Sequence, residues 1–482
     1  MEPEKPTVPR SWTEPNSVFW QSSWNSLVLQ LAALSLLILA VLPAPETLGV
    51  EGFRAIGIFF VCFTLWVTSA LPYPITGLLA ISLIPLYGVL PTQVAFGLFG
   101  NTAVFFILGA FILAAAIMKS GLSKRVALWI LRRFGHSPRT LLFGVFFISW
   151  FLSLLMAEHA VAAALLPVVL ELVEAAEKTG HRSARHYGKG LLLSMAWGTV
   201  IGGTGTLLGG ARAPLAIGFL KEATGQTIGF FEWSRAVFPV TLALLPVGII
   251  FLMIRFGRDS VPIGQLREAL SKQAARQGPI TPIEWRITGV FLATVLAWVF
   301  FGEKIDLATI AILSAVSLFV FRLVSWRDTE EYVNWGILLM YGGAIALGSA
   351  MTESGAAAWA AESLFSRTMA TPFVLLALLA LAAAILTEGM SSAAVVALML
   401  PLGMGLADNM GMAPVPVALC VALAAGLVYN FPTGAPAVAL VMTSRRLTIR
   451  DLVASGIVMS IVSWTLILLL MRFYWPAIGV LP

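Results

Sequence analysis

Charged side chains are scarce in this sequence. Asp, Glu, Lys and Arg make up 11% of the 482 residues, whereas a soluble domain carries about 25%. Hydrophobic residues make up 59%, and apolar runs of about 18 residues or more recur along the chain. These runs are continuous rather than alternating, which excludes a β-barrel. The composition therefore predicts an all-α polytopic membrane protein.

Cysteine and histidine are also rare, with two and four residues respectively. Cys62 and Cys420 lie inside apolar segments, which is typical of small buried residues rather than of a disulfide or metal site. The sequence lacks a Gly-x-x-x-x-Gly-Lys-Ser/Thr phosphate loop, a His-Glu-x-x-His motif and a nucleophile elbow. We therefore expect neither an enzyme nor a bound cofactor, and any transport must draw on an ion gradient or on exchange.

The net charge of +6 does not indicate nucleic-acid binding. Basic residues cluster between apolar runs, where the positive-inside rule expects them on the cytoplasmic side. These clusters fall in residues 132–136, 178–189, 255–286 and 445–450. We therefore expect an integral, multi-pass protein of the inner (cell) membrane, with the polar residues 1–25 in the cytoplasm and the C-terminus outside.

Two polar stretches, residues 156–160 and 389–393, interrupt long apolar runs, and a Leu-Pro pair follows each of them. The interval from Pro167 to Pro401, the prolines of these pairs, equals the interval from Gly109 to Gly343. We call this shared interval the repeat offset, and two pairs of landmarks that share it indicate an internal duplication. The charge pattern gives corresponding spans opposite directions, so the duplication is predicted to be inverted.

The interrupted runs predict two re-entrant hairpins. Residues 139–173 break near 157–159, and residues 372–406 break at 388–393, so each half is too short to span comfortably. Basic residues flank both ends of the first run, which indicates that this hairpin enters and leaves on the cytoplasmic side. The predicted fold is an inverted repeat of about 11 transmembrane helices plus two re-entrant hairpins.

Three further segments complete the predicted organisation. Residues 120–134 alternate basic and apolar positions, as an amphipathic helix at the membrane interface or a cytoplasmic extension of the preceding span would. Residues 202–214 are rich in glycine, and residues 430–436 hold two prolines and a glycine. Such breaks between apolar segments predict unwound backbone that approaches a ligand or ion.

This order of elements resembles the divalent-anion/sodium symporter family, the INDY-type transporters, from about residue 26 onward. The resemblance is carried by residues 157–167, 201–209, 218–220, 231–233, 387–401 and 432–436. It implies a homodimer in which each subunit has a scaffold domain and a mobile transport domain that carries both hairpins. It also implies elevator-type alternating access.

The resemblance divides each repeat in two. The first repeat, residues 26–254, has scaffold helices in 26–134 and transport elements in 139–254. A cytoplasmic linker, residues 255–286, follows. The second repeat, residues 287–482, has scaffold helices in 287–367 and transport elements in 372–471.

The chain departs from the family pattern where sodium and substrate bind. The family has Ser-Asn-Thr at each hairpin tip, but the tips here read Ala157-Glu158-His159 and Ser391-Ser392-Ala393. The first break, Gly-Thr-Pro-Pro-Asn in the family, reads Gly209-Gly210-Ala211-Arg212-Ala213. Several oxygen ligands for sodium are thus missing from the first half. Ser391, Ser392 and Thr433 could still hold one sodium ion.

Arg212 is the leading candidate for binding an anion. An arginine inside a membrane is costly and normally paired, and a guanidinium binds carboxylates and sulfate well. Alternatively, its charged end reaches the aqueous edge. Glu158 is its expected partner, either as a closing salt bridge or as a protonatable gate, and Glu388 is expected to face the same arginine.

The remaining candidates are less specific. His159 could carry a proton or donate to a carboxylate, or it could be a satisfied core residue. Ser391, Ser392 and Thr433 could donate hydroxyls to an anion, or they could serve helix packing. Gly210 and Gly434 would bring the backbone close to the substrate. Glu158, His159 and Glu388 are the candidates for proton coupling.

We therefore expect a secondary active transporter of small anions, di- or tricarboxylates or sulfate. Transport should be sodium-independent at the first site and use proton coupling or anion exchange. One alternative is a sodium-coupled dicarboxylate or sulfate symporter that uses the second-half site. Another is an anion channel. The sequence leaves open which anion is carried and in which direction.

Overall fold

The computed structural model describes residues 23–257, 261–302, 304–365 and 371–481, and regular structure there is helical. The first half contains α1 (Ser23–Val41), α2 (Gly49–Thr68), α3 (Tyr73–Leu86), α4 (Thr92–Gly97), α5 (Thr102–Ser120), α6 (Leu122–Phe134), α7 (Pro138–Leu155), α8 (Glu158–Lys178), α9 (Ala184–Thr204), α10 (Arg212–Thr224) and α11 (Phe230–Phe256). The rest contains α12 (Ile263–Gln277), α13 (Pro282–Phe301), α14 (Leu307–Val320), α15 (Trp326–Tyr332), α16 (Trp335–Glu353), α17 (Ala356–Phe365), α18 (Pro372–Gly389), α19 (Ser392–Asn409), α20 (Pro414–Ala425), α21 (Pro436–Thr443), α22 (Ile449–Leu469) and α23 (Trp475–Ala477).

Among the described residues, 11 helices are long and apolar enough to cross a membrane. The all-helical membrane fold is therefore confirmed, but these 11 helices are not the 11 spans that were expected beside the two hairpins. Four of the 11 are the arms of the two interrupted runs, α7, α8, α18 and α19, so the expectation that each half is too short to span was wrong. Four expected spans are not among the 11: α9, and the three shorter apolar helices α3, α14 and α20.

The internal duplication is confirmed by the helix boundaries. α7 and α18 begin at Pro138 and Pro372 and end at Leu155 and Gly389, so both their starts and their ends are separated by the repeat offset. The residue after each helix is extended, Met156 at φ −152° and ψ 159° and Met390 at φ −147° and ψ 170°. The two interrupted runs thus share one local fold.

Reciprocal contacts between the halves reveal their symmetry. A Cβ built on Gly109 of α5 would lie 2.6 Å from Cβ of Ala311 in α14. A Cβ built on Gly343 of α16 would lie 2.0 Å from the carbonyl oxygen of Gly77 in α3. The repeat offset leads from Gly109 to Gly343 and from Gly77 to Ala311. Each contact is therefore the other with the halves exchanged, as a pseudo-two-fold relation between the halves requires.

Each interrupted run folds back on itself. The hydroxyl of Tyr187, in the first turn of the helix after α8, donates to the carbonyl of Pro138 at the start of α7 over 2.8 Å. In the second run, a Cβ on Gly403 would lie 3.3 Å from Leu379, and these residues are nearly equidistant from the break. Both runs are therefore helical hairpins. Whether the bilayer makes them re-entrant stays a prediction.

We predict that single cysteines at His136 and His186 are labelled from the same side of the membrane. Both side chains are exposed and flank the first hairpin, whose open ends the Tyr187–Pro138 hydrogen bond joins. The measurement is labelling with a membrane-impermeant thiol reagent in oriented vesicles. Labelling from opposite sides would mean that α7 and α8 together cross the membrane.

The expected linker, residues 255–286, holds a helix that the prediction missed. α12 buries Leu266 and Leu270, spaced one helical turn apart, together with Gln273, and packs on α6 and α8. The prediction missed α12 because its sequence is mostly polar and its apolar stripe is short. By contrast, the amphipathic helix expected over residues 120–134 is confirmed as α6, where Leu128 and Leu131 are buried and Trp129 is 72% exposed.

Candidate functional site

Arg212 lies at the centre of the first break. It is the first residue of α10 and only 3% exposed. Its Nη1 donates to Oε1 of Glu158 over 2.7 Å, and its Nη2 donates to the hydroxyl of Thr204 over 2.8 Å. Arg212 therefore does not extend to an aqueous edge in this structure. Glu158 and Thr204 compensate its burial.

Glu158 is positioned by the first hairpin tip. We expected Glu158 and His159 inside the break, but the break is Met156-Ala157, and both residues begin α8. An acid in the first helical turn is favoured because it faces the positive end of the helix dipole. The backbone N–H of Glu158 also donates to the carbonyl of Gly209 over 2.9 Å. The tip is thus bonded to the glycine-rich break, and the carboxylate is held against Arg212.

Glycines make room for the guanidinium group. A Cβ on Gly210 would lie 2.5 Å from Nη1 of Arg212, and a Cβ on Gly426 would lie 2.4 Å from its Nε. Gly426 directly follows α20, the helix that leads into the second break. The guanidinium therefore lies where the first tip, the first break and the second-half break meet.

We predict that Gly426→Ala lowers anion uptake. The added methyl would also lie 2.8 Å from the Thr204 hydroxyl, so the guanidinium must move. Overpacking of this kind costs roughly 1–3 kcal/mol, which corresponds to a binding constant weakened about 5- to 160-fold. The measurement is the Kd for a labelled anion. Gly289→Ala is the matched control, because nothing lies within 4 Å of its Cβ in α13. An equal effect of both substitutions would contradict the prediction.

His159 lies apart from the ion pair. It is partly buried and packs edge-on against Phe111 of α5, with ring centroids 5.3 Å apart. This contact places His159 at the seam between the first hairpin and a predicted scaffold helix. The position suits a satisfied interfacial residue as well as a proton carrier.

Glu388 is not beside Arg212, contrary to expectation. It lies in the last turn of α18, where its Oε1 accepts from Nδ2 of Asn430. Its Oε2 accepts from the backbone N–H groups of Asn430 and Phe431 over 3.2 and 3.1 Å. The break of its own half offers these donors, so Glu388 is satisfied locally and each half has its own acid.

The two tips are fastened to their breaks in the same way. The hydroxyl of Thr206 donates to the carbonyl of Leu154 over 2.6 Å, and the hydroxyl of Thr433 donates to that of Glu388 over 2.6 Å. The repeat offset separates the two accepting residues. Likewise, a Cβ on Gly434 would lie 2.1 Å from the carbonyl of Thr387. Thr433 and Gly434 therefore hold the second tip in place.

The serines of the second tip are partly exposed. The hydroxyl of Ser391 caps α19 by accepting from the N–H of Ala394 over 3.2 Å, and Ser392 is the first residue of that helix. Ser391 is therefore bonded to Ala394, and Thr433 is bonded to Glu388. Each hydroxyl oxygen still has a lone pair that could bind a ligand.

Sequence reasoning missed three residues of these sites. Thr204 and Gly426 contact Arg212, but Thr204 was recognised only as part of the glycine-rich stretch, and Gly426 directly follows an apolar helix and carries no distinguishing pattern. Asn430, which binds Glu388, was recognised only as part of the break. Its position at the start of a Pro-Gly segment was a usable signal, since a buried amide there needs partners.

The chain is similar to known transporters along nearly its whole length. The family described as "Sodium:sulfate symporter transmembrane region" matches residues 21–481. The sodium-dependent dicarboxylate transporter SdcS of Staphylococcus aureus (strain bovine RF122 / ET3-1) is 27% identical over 458 residues, covering 90% of this chain and 88% of its own. SdcS of Staphylococcus saprophyticus is 27% identical over 475 residues, covering 93% and 91%.

Two solved structures share the fold at lower identity. The YdaH transporter of Alcanivorax borkumensis has a TM-score of 0.55 at 15% identity, covering 95% of this chain and 99% of that one. MtrF of Neisseria gonorrhoeae, described in a class of antimetabolite efflux pumps, has a TM-score of 0.55 at 16% identity, covering 93% and 94%. At this identity the likeness concerns the fold alone.

Proposed function

Because the chain belongs to the sodium:sulfate symporter family, we propose that this integral, multi-pass membrane transporter carries small dicarboxylates or sulfate and binds them at Arg212. The observation that supports this most directly is the buried Arg212–Glu158 pair at the first tip. A cation fixed by the protein lies where the family pattern has sodium ligands. An anion can therefore be neutralised there without sodium.

The chemistry of the pair suits a carboxylate or sulfate substrate. A guanidinium presents N–H donors in a planar fork that matches two oxygens of either group. In this structure Glu158 already occupies one side of that fork at 2.7 Å. The substrate must therefore take the place of Glu158 or share Arg212 with it.

Displacing Glu158 provides a route to coupling. A carboxylate that loses its cation inside a low-dielectric protein tends to bind a proton. Anion binding would then bring a proton into the site, which is proton-coupled transport. Exchange is the other outcome, in which one anion leaves only as another replaces it on Arg212. His159 at the scaffold seam and Glu388 at the second tip are further candidates for the proton.

Sodium-coupled symport is the alternative, and the relatives favour it, because both SdcS proteins are described as sodium-dependent. The first half does not fit a sodium ion, since the positive guanidinium fills the space between Gly210 and Gly426. The second half fits better, because the hydroxyl oxygens of Ser391 and Thr433 and the backbone of the break could ligate the ion. A sodium ion bound at this second-half site would add positive charge beside the substrate.

We further propose an elevator mechanism in a homodimer of the inner membrane, with the N-terminus in the cytoplasm. The moving part would comprise the two hairpins and the helices around both breaks, α7–α11 and α18–α22. The fixed part would comprise α1–α6 and α13–α17. The contacts of Arg212 with Glu158 and Gly426 tie both breaks to one hairpin, as expected if they move together.

Counterflow in proteoliposomes tests this function and separates it from an anion channel. Vesicles loaded with unlabelled succinate or sulfate should accumulate the labelled anion transiently above equilibrium, with saturable initial rates. A carrier produces this overshoot because both anions use one alternating site. Non-saturating flux without an overshoot would indicate a channel, and no flux of either anion would contradict the proposed substrate class.

A further inference from the structure

The C-terminal end of α10 is bonded to the predicted scaffold. Nζ of Lys221 lies 2.9 Å from Oδ2 of Asp306, and it donates to the hydroxyl of Thr102 over 3.2 Å. Asp306 caps the N-terminus of α14, and Thr102 begins α5. The helix that carries Arg212 at one end is thus held at its other end by two scaffold helices.

A second contact supports the first at the same seam. Nδ2 of Asn101, the N-cap of α5, donates to Oε2 of Glu222 over 3.3 Å. A Cβ on Gly218 would lie 2.7 Å from Cβ of Ala103, so α10 packs closely against the start of α5. The polar contacts therefore lie at the edge of a tightly packed helix seam, where Lys221 and Asp306 stay partly exposed.

The equivalent end in the second half is bonded differently. α21 corresponds to α10, and a basic residue, Arg446, lies just beyond its C-terminus. Nε and Nη2 of Arg446 donate to the two carboxylate oxygens of Glu177 over 3.2 and 3.1 Å. Glu177 belongs to α8, an arm of the first hairpin. One end is therefore bonded to the scaffold, and its counterpart is bonded to the moving part.

The counterpart of Asp306 is Pro72, the N-cap of α3, but the scaffold offers acids beside the counterpart of Asn101. The counterpart of Asn101 is Asn334, the N-cap of α16, which accepts from the N–H of Ile337 over 3.3 Å. Just before it, α15 carries Glu330 and Glu331, both exposed. In the second half, the basic residue after α21 is therefore bonded to Glu177. The exposed acids of α15 lie in the scaffold of the same half.

We propose that Lys221–Asp306 and a pair formed by Arg446 with Glu330 or Glu331 are alternative latches for the two access states. This rests on the proposed alternating access. Two halves related by a pseudo-two-fold axis can exchange their conformations, and the exchange releases α10 from α5 and α14 while docking α21 beside their counterparts, α16 and α3. The Lys221 and Asp306 side chains are 38% and 39% exposed. Pairs this exposed are weak, as a latch that opens in every cycle requires.

Cysteine pairs test the two latches directly. In Lys221→Cys/Asp306→Cys protein, a short bifunctional thiol reagent should stop uptake, and cleaving the linker should restore it. Arg446→Cys/Glu330→Cys protein should also be linked and stopped, with faster linking when substrate drives cycling. Cys62 and Cys420 are fully buried, which limits side reactions.

The matched control is Lys119→Cys/Asp328→Cys. This ion pair joins α5 to α15, which both belong to the predicted scaffold, so linking it should leave uptake unchanged. When all four latch cysteines are present, mass spectrometry of single chains should find one link or the other, but not both. This readout needs no transport activity.

Two results would overturn the latches. Normal uptake by protein linked between positions 221 and 306 would show that this seam does not open. Chains carrying both links at once would show that the two pairs are not alternatives. Failure of the proposed function looks different, since the unlinked cysteine variants would then carry neither succinate nor sulfate while mutual exclusion could still be observed.

Discussion

Arg212→Ala is expected to abolish anion uptake without preventing folding. The substitution removes the cation that would bind the substrate and leaves Glu158, only 5% exposed, without its ion-pair partner. Truncating one partner of a buried charge pair costs roughly 2–5 kcal/mol, or about 30- to 5,000-fold in binding. The measurements are initial uptake in proteoliposomes and the Kd of the purified protein, with a monodisperse elution profile as the check on folding.

The double variant Arg212→Ala/Glu158→Ala separates substrate binding from charge compensation. If Arg212 only neutralises Glu158, removing both charges should restore uptake. If Arg212 binds the anion, the double variant should stay inactive although its site holds no unpaired charge. Normal affinity in either variant would assign Arg212 a structural role and contradict the proposed site.

Arg125→Ala controls for the general effect of breaking a buried ion pair. Nε of Arg125 donates to Oε1 of Glu284 over 2.7 Å, and Glu284 is 1% exposed. This pair joins α6 to the start of α13, away from both breaks. We expect its loss to lower thermal stability while the protein that remains folded keeps its anion affinity.

Much of the fold could be predicted because apolar length and duplicated landmarks are properties of the sequence itself. The offset between Pro167 and Pro401 reappears in both limits of α7 and α18 and in the first residues of α8 and α19. Errors arose where packing decides the outcome. Glu158 interrupts an apolar run, and we therefore placed it in the break. It begins α8 instead, and its N–H is bonded to the carbonyl of Gly209 across the break.

The charged residues of the candidate site could be predicted from the sequence, but the partner that each of them bonds to could not. Arg212 and Glu158 stood out as charges in apolar surroundings, and the structure joins them. Glu388 stood out for the same reason, but its partner is Asn430. Sequence spacing does not determine which hairpin tip faces which break. Tertiary contacts such as that between Arg212 and Gly426 determine it.

Uptake is expected to be nearly independent of sodium and to depend on pH or on a counter-anion. Sodium would supply positive charge at the first tip, but Arg212 already supplies it, and Glu158 occupies the position of an oxygen ligand. A permanent cation cannot leave with the substrate, so it cannot couple transport to a gradient. Coupling must then come from a group that changes its charge during the cycle, or be absent.

The pH dependence has a definite sign if Glu158 is that group. The anion displaces the Glu158 carboxylate from Arg212, and the displaced carboxylate is stabilised by binding a proton. Lowering the pH should therefore raise the uptake rate. Glu158→Gln, which keeps the shape without the charge, should remove the dependence. If the protein is an exchanger instead, uptake should require a counter-anion inside the vesicle and respond little to pH.

The deciding measurement is initial uptake rate against sodium concentration at fixed pH and ionic strength, with choline as the replacement cation. A flat response would agree with the charge that Arg212 provides. A steep response that vanishes in choline would contradict sodium independence and move coupling to the second tip. Ser391→Ala and Thr433→Val would then be expected to weaken the sodium dependence. Thr206→Val, which removes the matching hydroxyl of the first break, would leave it unchanged. This contrast follows from the two fastenings, because the hydroxyls of Thr206 and Thr433 make the same 2.6 Å bond to their tips, and only the tip bonded to Thr433 carries serines that could ligate the ion.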